Sequence, residues 1–394
     1  MSTGFSAGSQ ALGYLYQARY ALFLALSNPE EYNLSIEGLD DITFEEDGAP
    51  RELLQLKHHQ SPGNLTDSSS DLWKTLRIWS TYLKEGQVML PGASLTIITT
   101  NEAPTGSIAA MLRPGDGRNP KSALDALLKV SEESDNKKLQ SSFAAFKELT
   151  TKEREILVDS IQILDCSPNI VDTEPKIKSL LKGVRREHRS SVYERLEGWW
   201  FKKVVLHLSE NSEELISGFE IHDKLCEIND QFKPEALPID YLDYQPTELP
   251  DPNSDNRQFV AQLRAIAIQN KRIEKAILDY YRAFEQRSRW VREDLIVSND
   301  LEVYEKKLVD EWERYYLMLE DEMEETGDEE ARHRSMGRKL YNWMEQEADY
   351  RIRQLVSEEF IMRGSYHMLA DKTPPSIHWH PKFVERLSQI LPIS

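Results

Sequence analysis

The chain of 394 residues has a formal net charge of -19, with 29% charged and 40% hydrophobic residues. These values exclude a disordered chain and are typical of a globular protein, and the length predicts two domains. A surface of that charge repels nucleic acid at long range, so any contact with DNA must be local. The opening apolar stretch, ALGYLYQARYALFLAL, is interrupted by Gln17 and Arg19 and is too short for a membrane span. We therefore expect a cytoplasmic protein that makes no contact with a membrane.

The first third of the sequence predicts a helix, three strands, a helix and a further strand. Candidate strands lie at about 33–38, 41–46 and 51–58, with a turn at Asp47–Gly48. Capping side chains at 67–70 precede the helical stretch DLWKTLRIWSTYLKEG, and SLTIITT follows as a buried strand. This order predicts an α/β domain with a mixed sheet flanked by helices.

The remainder of the chain is predicted to be helical in two parts. The proline-rich and acidic segment 233–252 has little helical period and predicts a linker between a first domain at 1–232 and a second at 253–394. The first long helix of the second domain is predicted from apolar positions in steps of four and three residues, together with one asparagine on the same seam: Phe259, Leu263, Ile266, Asn270, Ile273, Ile277, Tyr280 and Phe284. A second long helix is predicted from Leu301 to Leu319. The fold expected for 253–394 is therefore all-α, and we expect Ile266, Ile273 and Ile277 to be shared between packing within this domain and packing against a partner chain.

Polar residues alternate with apolar ones on the first predicted strands. Glu37, Asp41, Gln55 and Lys57 fall opposite the apolar set, so we expect them to share one solvent-facing surface. An antiparallel sheet with one wet face and charges paired across strands gives the same alternation, and this structural alternative stays open. The choice of Asp41 over Asp40 depends on the strand phase, which a one-residue slip would reverse.

These residue types suit the hydrolysis of a phosphodiester, which needs a divalent ion, an activated water and a nearby cation. A Mg²⁺ or Mn²⁺ ion would find oxygen ligands in the side chains of Glu37, Asp41 and Gln55 and in the main-chain carbonyl of Leu56. Lys57 would orient the attacking water or help to deprotonate it. The sequence therefore predicts a metal-dependent catalytic site on these strands.

One basic stretch, KIKSLLKGVRREHRSS, is the local candidate for DNA contact and is predicted to be helical. A solvated basic face that balances acidic neighbours has the same pattern. The six candidate DNA-binding residues are Lys176, Lys178, Lys182, Arg185, Arg186 and Arg189.

Other familiar site patterns are missing from the sequence. Neither G-x-x-x-x-G-K-[ST] nor G-x-G-x-x-G occurs, so an ATP-driven step would have to come from a partner. His378 and His380 alternate as metal ligands can, but nothing nearby completes a ligand set. Cys166 and Cys226 lie far apart and are expected to be buried thiols.

The stretch IEGLDDITFEEDGAPRELLQLKHHQ resembles the PD-(D/E)xK nuclease motif in its Mrr-like Q-x-K form, carried by Asp41, Gln55 and Lys57 with Glu37 as an additional acidic position. The opening GYLYQARYALFLAL, followed by E-x-x-D-D and Q-L-K-H, is similar to the endonuclease domain of CBASS effectors and of Lamassu nuclease subunits. This resemblance implies a restriction-endonuclease-like fold and a metal-dependent DNA endonuclease. Gln55 replaces the acidic residue of the common motif, which lowers the charge of the site and leaves a pseudo-nuclease open.

The C-terminal helical region with its closing IHWHPKFVERL is similar to the C-terminal domains of effector proteins in ABC-three-component systems, the group that contains Lamassu. This resemblance implies an antiphage effector that cuts double-stranded DNA and docks on an SMC-like ABC ATPase and a small accessory subunit. It further implies restraint until foreign DNA is met, then action as a homo-oligomer. A noncatalytic scaffold that binds nucleic acid or the ATPase is the alternative. A sensor of cyclic oligonucleotides is a third, less favoured because the C-terminal half is predicted to form long helices.

Overall fold

The computed structural model describes residues 7–59, 63–209, 214–246, 250–323, 328–383 and 385. The chain divides into two compact units, Met1–Asn229 (unit 1) and Asp230–Ser394 (unit 2). The strands of unit 1 are β1 Asn33–Ile36, β2 Ile42–Glu46, β3 Ala49–Lys57, β4 Ser94–Thr99, β5 Ile161–Leu164 and β6 Ile216–Ser217. Its helices are α1 Ala7–Ala25, α2 Ser70–Glu85, α3 Ile108–Met111, α4 Pro120–Glu133, α5 Gln140–Lys147, α6 Thr151–Ser160, α7 Ile170–Leu180, α8 Arg189–Ser209 and α9 Gly218–Asp230. The helices of unit 2 are α10 Gln258–Ala265, α11 Asn270–Arg292, α12 Ser298–Asp321, α13 Glu329–Gln346 and α14 Glu359–Ala370.

The sheet of unit 1 has the order β5-β4-β3-β2-β1-β6. β3, β4 and β5 are parallel, whereas β3, β2, β1 and β6 pair antiparallel. The β2–β3 turn places Asp47 and Gly48 at positive φ (52° and 75°), as a two-residue hairpin requires. The predicted mixed sheet flanked by helices is confirmed, and the restriction-endonuclease-like assignment stays a prediction.

One face of this sheet is covered by helices α2 to α6. Leu53 of β3 lies in the same buried cluster as Trp73 and Trp79 of α2. Thr43 and Gln55 share this face with Leu53 by alternation, and they are only 0% and 6% exposed. The prediction of a solvent-facing surface was therefore wrong over its centre, because this face packs into the core that includes α2.

The opposite face carries α1 and α8, which are fixed to each other. The indole Nε1 of Trp200 on α8 donates to the carbonyl of Ala18 on α1 at 2.7 Å. Both aromatic residues that α1 presents here, Tyr16 and Tyr20, are buried.

The described parts of the chain contain no helix with the length and apolar character of a membrane span. Cys166 and Cys226 are exposed, so the prediction of buried thiols was wrong.

Unit 2 is helical, as predicted, but its first long helix is broken. The α10 helix ends where Ala267 takes a left-handed φ of 59° and Ile268 N donates back to Leu263 O at 3.0 Å. The chain then restarts as α11 at Asn270, which is exposed rather than on a buried seam. Ile266 lies in the break and is fully buried. The predicted continuous helix was therefore wrong, while α12 spans the second predicted helix.

The expected sharing of seam residues with a partner is also corrected by the structure. Ile266, Ile273 and Ile277 are at most 1% exposed and belong to the internal core of unit 2. The close packing of α11 and α14 depends on Gly364, because a Cβ there would collide with the carbonyl of Asp279.

Part of the segment predicted as a linker, 233–252, packs on unit 2. The carbonyl of Pro238 accepts hydrogen bonds from Gln286 Nε2 (3.0 Å) and Trp290 Nε1 (2.7 Å) of α11. The amide of Asp240 donates to Gln286 Oε1 at 2.7 Å. These bonds satisfy buried polar groups of α11, so this stretch is a structural part of unit 2.

Candidate functional site

The Asp41 side chain hydrogen bonds to the edge of β3 at a point that its pairing with β2 does not reach. The β2–β3 pairing starts at Ile42 and Leu54, so the last residues of β3 have no partner on that side. Asp41 Oδ2 accepts the main-chain N–H of Leu56 at 2.7 Å and takes the place of a neighbouring strand. Because a strand residue directs its N–H and C=O to the same edge, the Leu56 carbonyl faces this carboxylate too.

Glu37 lies across the short loop that joins β1 to β2. Its N–H donates to the carbonyl of Asp41 at 3.1 Å, and its φ is 56°. Partial burial and then the charge of Asp41 raise the pKa of the exposed Glu37 carboxyl, while a hydrogen bond with Gln17 and the charge of Lys57 act in the other direction. The structure therefore brings Glu37, Asp41 and Lys57 into one electrostatic neighbourhood, with α1 contributing Gln17.

Asp40 has a different environment from Asp41. It is only 7% exposed, and both of its oxygens are used. Oδ2 accepts from Trp79 Nε1 at 2.7 Å, and Oδ1 accepts from the Asp41 N–H at 3.1 Å. Burial raises the pKa of the Asp40 carboxyl to about 6, despite the opposing Trp79 hydrogen bond. Asp41 is half-buried, and among the described residues its Oδ1 makes no hydrogen bond. This geometry favours Asp41 as the ligand that the sequence left undecided.

The side chains of Gln55 and Lys57 lie on the same face of β3 as each other. The Gln55 side chain is almost enclosed, and no residue in the described ranges hydrogen bonds to its amide. Lys57 is half-buried and forms no ion pair with a described carboxylate. The Gln55 side-chain oxygen is therefore available to a bound group.

The oxygens present fit a hard divalent cation. Asp41, Gln55 and Leu56 offer a carboxylate, an amide and a carbonyl oxygen, which are the donor types that Mg²⁺ and Mn²⁺ accept. No cluster of three or more His, Cys, Asp or Glu side chains suited to a metal occurs within the described ranges. The candidate set differs from such a cluster because two of its oxygens are not carboxylates.

Two histidines, His58 and His59, follow Lys57 in the chain, and the sequence analysis gave them no role. The ring of His58 packs on Tyr16 with centroids 4.6 Å apart. His59 Nε2 lies 2.8 Å from Asp71 Oδ2, in the first turn of α2. Both histidines line a cavity of about 440 Å³ at the C-terminal ends of the parallel strands. The adjacent letters Q-L-K-H-H were the signal available, but only the fold reveals the Asp71 partner.

The predicted basic cluster is divided by the structure and is not one helix. It spans the end of α7, a loop, a 3-10 turn at Arg186–His188 and the start of α8. Lys178 pairs with Glu174 at 2.7 Å and lies 5.2 Å from the Tyr193 ring centre. Arg189 Nε donates to the Val184 carbonyl at 3.3 Å. Four residues remain exposed for a partner: Lys176, Lys182, Arg185 and Arg186.

The histidines near the C terminus belong to the core of unit 2. His380 is fully buried, and the ring of His378 packs edge-on against Trp312 at 4.9 Å. Burial lowers the pKa of His378. The closing stretch IHWHPKFVERL also includes residues 384, 386 and 387, which lie outside the described residues.

Comparison with solved structures gives low overall similarity. The Cap4 SAVED/CARF-domain containing receptor of Acinetobacter baumannii, with the cyclic trinucleotide 2'3'3'-cAAA, has a TM-score of 0.35 and 12% identity over 68% of this chain and 59% of that chain. The corresponding receptor of Moraxella osloensis has a TM-score of 0.36 and 14% identity over 65% of this chain and 60% of that chain. The chain thus spans about three fifths of the length of these receptors.

No curated protein sequence matches the chain. A family model does match its C-terminal part. The match covers residues 259–387, which correspond to most of the helical unit 2. This result confirms the resemblance stated for the C-terminal region, while the narrower Lamassu assignment stays a prediction. The C-terminal part of the chain is thus similar to C-terminal domain 7 of the ABC-three component (ABC-3C) systems.

Proposed function

We propose that the protein is a metal-dependent DNA endonuclease that acts as an effector of an ABC-three-component antiphage system. The observation that carries the proposal is the contact of Asp41 Oδ2 with the Leu56 N–H at 2.7 Å. It places a carboxylate, the carbonyl of Leu56, the amide of Gln55 and the ammonium of Lys57 along one end of β3. That is the set of groups which hydrolysis of a phosphodiester requires.

In this proposal Asp41, Gln55 and Leu56 hold Mg²⁺ or Mn²⁺, with Glu37 at the rim of the site. A bound ion would supply positive charge against the negative charge that develops on the phosphate. Lys57 donates hydrogen bonds to the attacking water or to a phosphate oxygen, because an ammonium has three donors and no acceptor. Asp40 is not a ligand in this proposal. Its hydrogen bond with Trp79 fixes the loop between β1 and β2 to α2. The buried face behind Gln55 excludes solvent.

Cleavage of plasmid by the full-length chain tests the proposal directly. Nicking of supercoiled DNA is expected with Mg²⁺ or Mn²⁺, to stop in EDTA and to be lost in Lys57→Ala. Lys74→Ala is the matched control, because Lys74 is an exposed lysine on α2 outside the site. A wild-type chain without metal-dependent cleavage, or a Lys57→Ala variant as active as Lys74→Ala, would refute the proposal.

A noncatalytic scaffold is the second candidate, and one observation favours it. The same Asp41–Leu56 bond that prepares a ligand also has a purely structural value, because it satisfies a buried N–H at the edge of a sheet. A scaffold would bind DNA in a gel-shift assay with equal affinity in the presence and absence of a divalent ion, and it would cut none. Metal-dependent nicking excludes this candidate.

We further propose that unit 2 docks on an SMC-like ABC ATPase and a small accessory subunit, as in Lamassu. The support is the match of residues 259–387 to an ABC-3C C-terminal domain. Because the internal seam is buried, docking would use exposed apolar residues such as Tyr281 and Phe284 of α11 and Leu317 of α12. Restraint of the nuclease by this complex, followed by release and assembly into a homo-oligomer, completes the proposal.

Co-purification of the full-length chain with the proteins encoded beside it tests docking. Leu317→Glu is expected to weaken capture of the ATPase without loss of the fold, since Leu317 is 50% exposed. Val205→Glu on α8 is the matched control, because Val205 is 54% exposed on unit 1. Equal capture by both variants would place the docking surface elsewhere.

A further inference from the structure

His59 lies on the same side of β3 as Gln55 and Lys57. Its main-chain N–H donates to Thr100 Oγ1 at 2.9 Å, and its carbonyl accepts from the same hydroxyl at 3.2 Å. These bonds tie the main chain of His59 to the residue that follows β4. His58 contacts α1 on one face, whereas His59 contacts α2 on the other.

Asp71 orients the imidazole of His59. The two side chains meet through Nε2 and Oδ2 at 2.8 Å, with 39% and 23% of each side chain exposed. An ionised carboxylate accepts a hydrogen bond, so Nε2 carries the proton in the neutral ring and Nδ1 is left with its lone pair. Among the described residues no partner engages Nδ1. A carboxylate that fixes the tautomer of a histidine is the arrangement found in catalytic triads.

The proposed reaction requires a proton acceptor beside the attacking water, and neither Lys57 nor Asp41 supplies one. Lys57 as an ammonium has no acceptor, and Asp41 is occupied by Leu56 and, in the proposal, by the metal. His59 lies two residues beyond Lys57 in the chain, and a proton can reach a base through one bridging water. His59 therefore offers its Nδ1 lone pair as an acceptor next to Lys57.

The neighbouring titratable groups do not compete for this role. The other groups that line the cavity beside His59 are His58, Cys166 and Asp172. Burial and the charge of His59 lower the pKa of His58, whose ring is packed on Tyr16. Burial and then the charge of a neighbouring aspartate raise the pKa of the Cys166 thiol.

We propose that His59, positioned by Asp71, is the general base of the nuclease site, an inference that rests on the proposed endonuclease function. The water oxygen forms a bond to phosphorus and the bond from phosphorus to the leaving nucleoside oxygen breaks. The proton of the water passes to Nδ1 of His59, directly or through one water, and the leaving oxygen takes a proton from solvent. Asp71 holds the ring in the required tautomer and stabilises the imidazolium that forms.

The test is metal-dependent nicking by full-length variants, with rescue by added imidazole. A general base contributes about 100- to 10,000-fold, so His59→Ala is expected to lower kcat at least 100-fold with KM for DNA unchanged. Free imidazole is expected to restore part of the rate, which a merely structural role would not allow. Asp71→Asn, which disturbs the tautomer, is expected to lower kcat by at least 10-fold. His222→Ala is the matched control, because His222 also pairs with a carboxylate, Glu30, at 3.2 Å.

The outcomes separate this inference from the endonuclease proposal. If Lys57→Ala abolishes cleavage while His59→Ala retains the wild-type rate, His59 is not the base and the nuclease stands. Loss of activity in His59→Ala without rescue, combined with full activity of Asp71→Asn, also overturns the inference. A wild-type chain that never cleaves removes the endonuclease proposal itself.

Discussion

Replacing Asp41 by alanine and by asparagine is expected to separate its structural role from its catalytic role. Alanine leaves the N–H of the buried Leu56 without its 2.7 Å partner, which costs about 1–3 kcal/mol in the free energy of unfolding. Asparagine keeps an oxygen acceptor and loses only the charge, so its cost is expected to be about 1 kcal/mol or less. Both variants are expected to lose metal-dependent nicking, because each lacks the carboxylate ligand.

Urea denaturation followed by tryptophan fluorescence measures the first effect, and plasmid nicking measures the second. Asp40→Asn is the control, because Asp40 uses both oxygens inside the protein and has none for a ligand. We expect Asp40→Asn to remain active. An active Asp41→Asn beside an inactive Asp40→Asn would refute the assignment of the ligand. An Asp41→Ala variant as stable as wild type would show that the bond to Leu56 contributes nothing.

Three further predictions concern pH, packing and DNA contact. Burial raises the pKa of Asp40 from its ordinary 3.8 to about 6, so the folded state holds a proton that the unfolded state releases between these values. The free energy of unfolding should therefore fall by about 2 kcal/mol as pH rises from 4 to 6, and the difference between wild type and Asp40→Asn in denaturation at each pH isolates this effect. Gly364→Ala should destabilise unit 2 by about 3 kcal/mol in thermal unfolding, whereas Gly198→Ala, with no atom within 4 Å of the added Cβ, should be neutral or stabilising. Charge reversal at Arg185 and Arg186 should weaken DNA binding and reduce its salt dependence by about 0.9 per phosphate contact, and a gel shift with an unchanged salt slope would contradict this.

Much of the sheet could be predicted because its signals are local. Alternation located β1, β2 and β3 within a few residues, and the Asp47–Gly48 pair fixed the turn between the last two. The α2 helix follows an N-cap at Ser69 and ends at Gly86 with a φ of 72°, both of which depend on nearby residues only. Local chemistry therefore sets these elements.

The face of the sheet could not be predicted, because it depends on a distant element. Thr43 and Gln55 have the alternation of a wet surface, yet both are buried on the face where Leu53 packs in one cluster with Trp73 and Trp79 of α2. The same distance in sequence hid the Asp71 partner of His59. Tertiary burial therefore encloses residues that the alternation had placed on a solvent-facing surface.

The break after α10 had a different cause. The spacing of Phe259, Ile266 and Ile273 suits one helix, and Ala267 is a good helix former. In the fold Ala267 adopts a left-handed φ of 59°, and buried residues on both sides of the break still face one core. Apolar spacing records which residues are buried, but it does not record whether the helix between them is continuous.

The net charge of the chain and the local charges at the site together favour control of the proposed nuclease through the assembly of several copies. A chain of net charge -19 repels DNA at distances where only the total field acts. At the site itself Lys57 is unpaired among the described residues, and four basic residues around α7 and α8 are exposed. One copy therefore offers few cations against a large repulsive field. Two or more copies around one duplex would multiply these local contacts and address both strands, while salt screens the field between their outer surfaces. A partner that keeps copies apart would then restrain cleavage without touching any catalytic residue, and cleavage by the free protein should rise more steeply than linearly with its concentration.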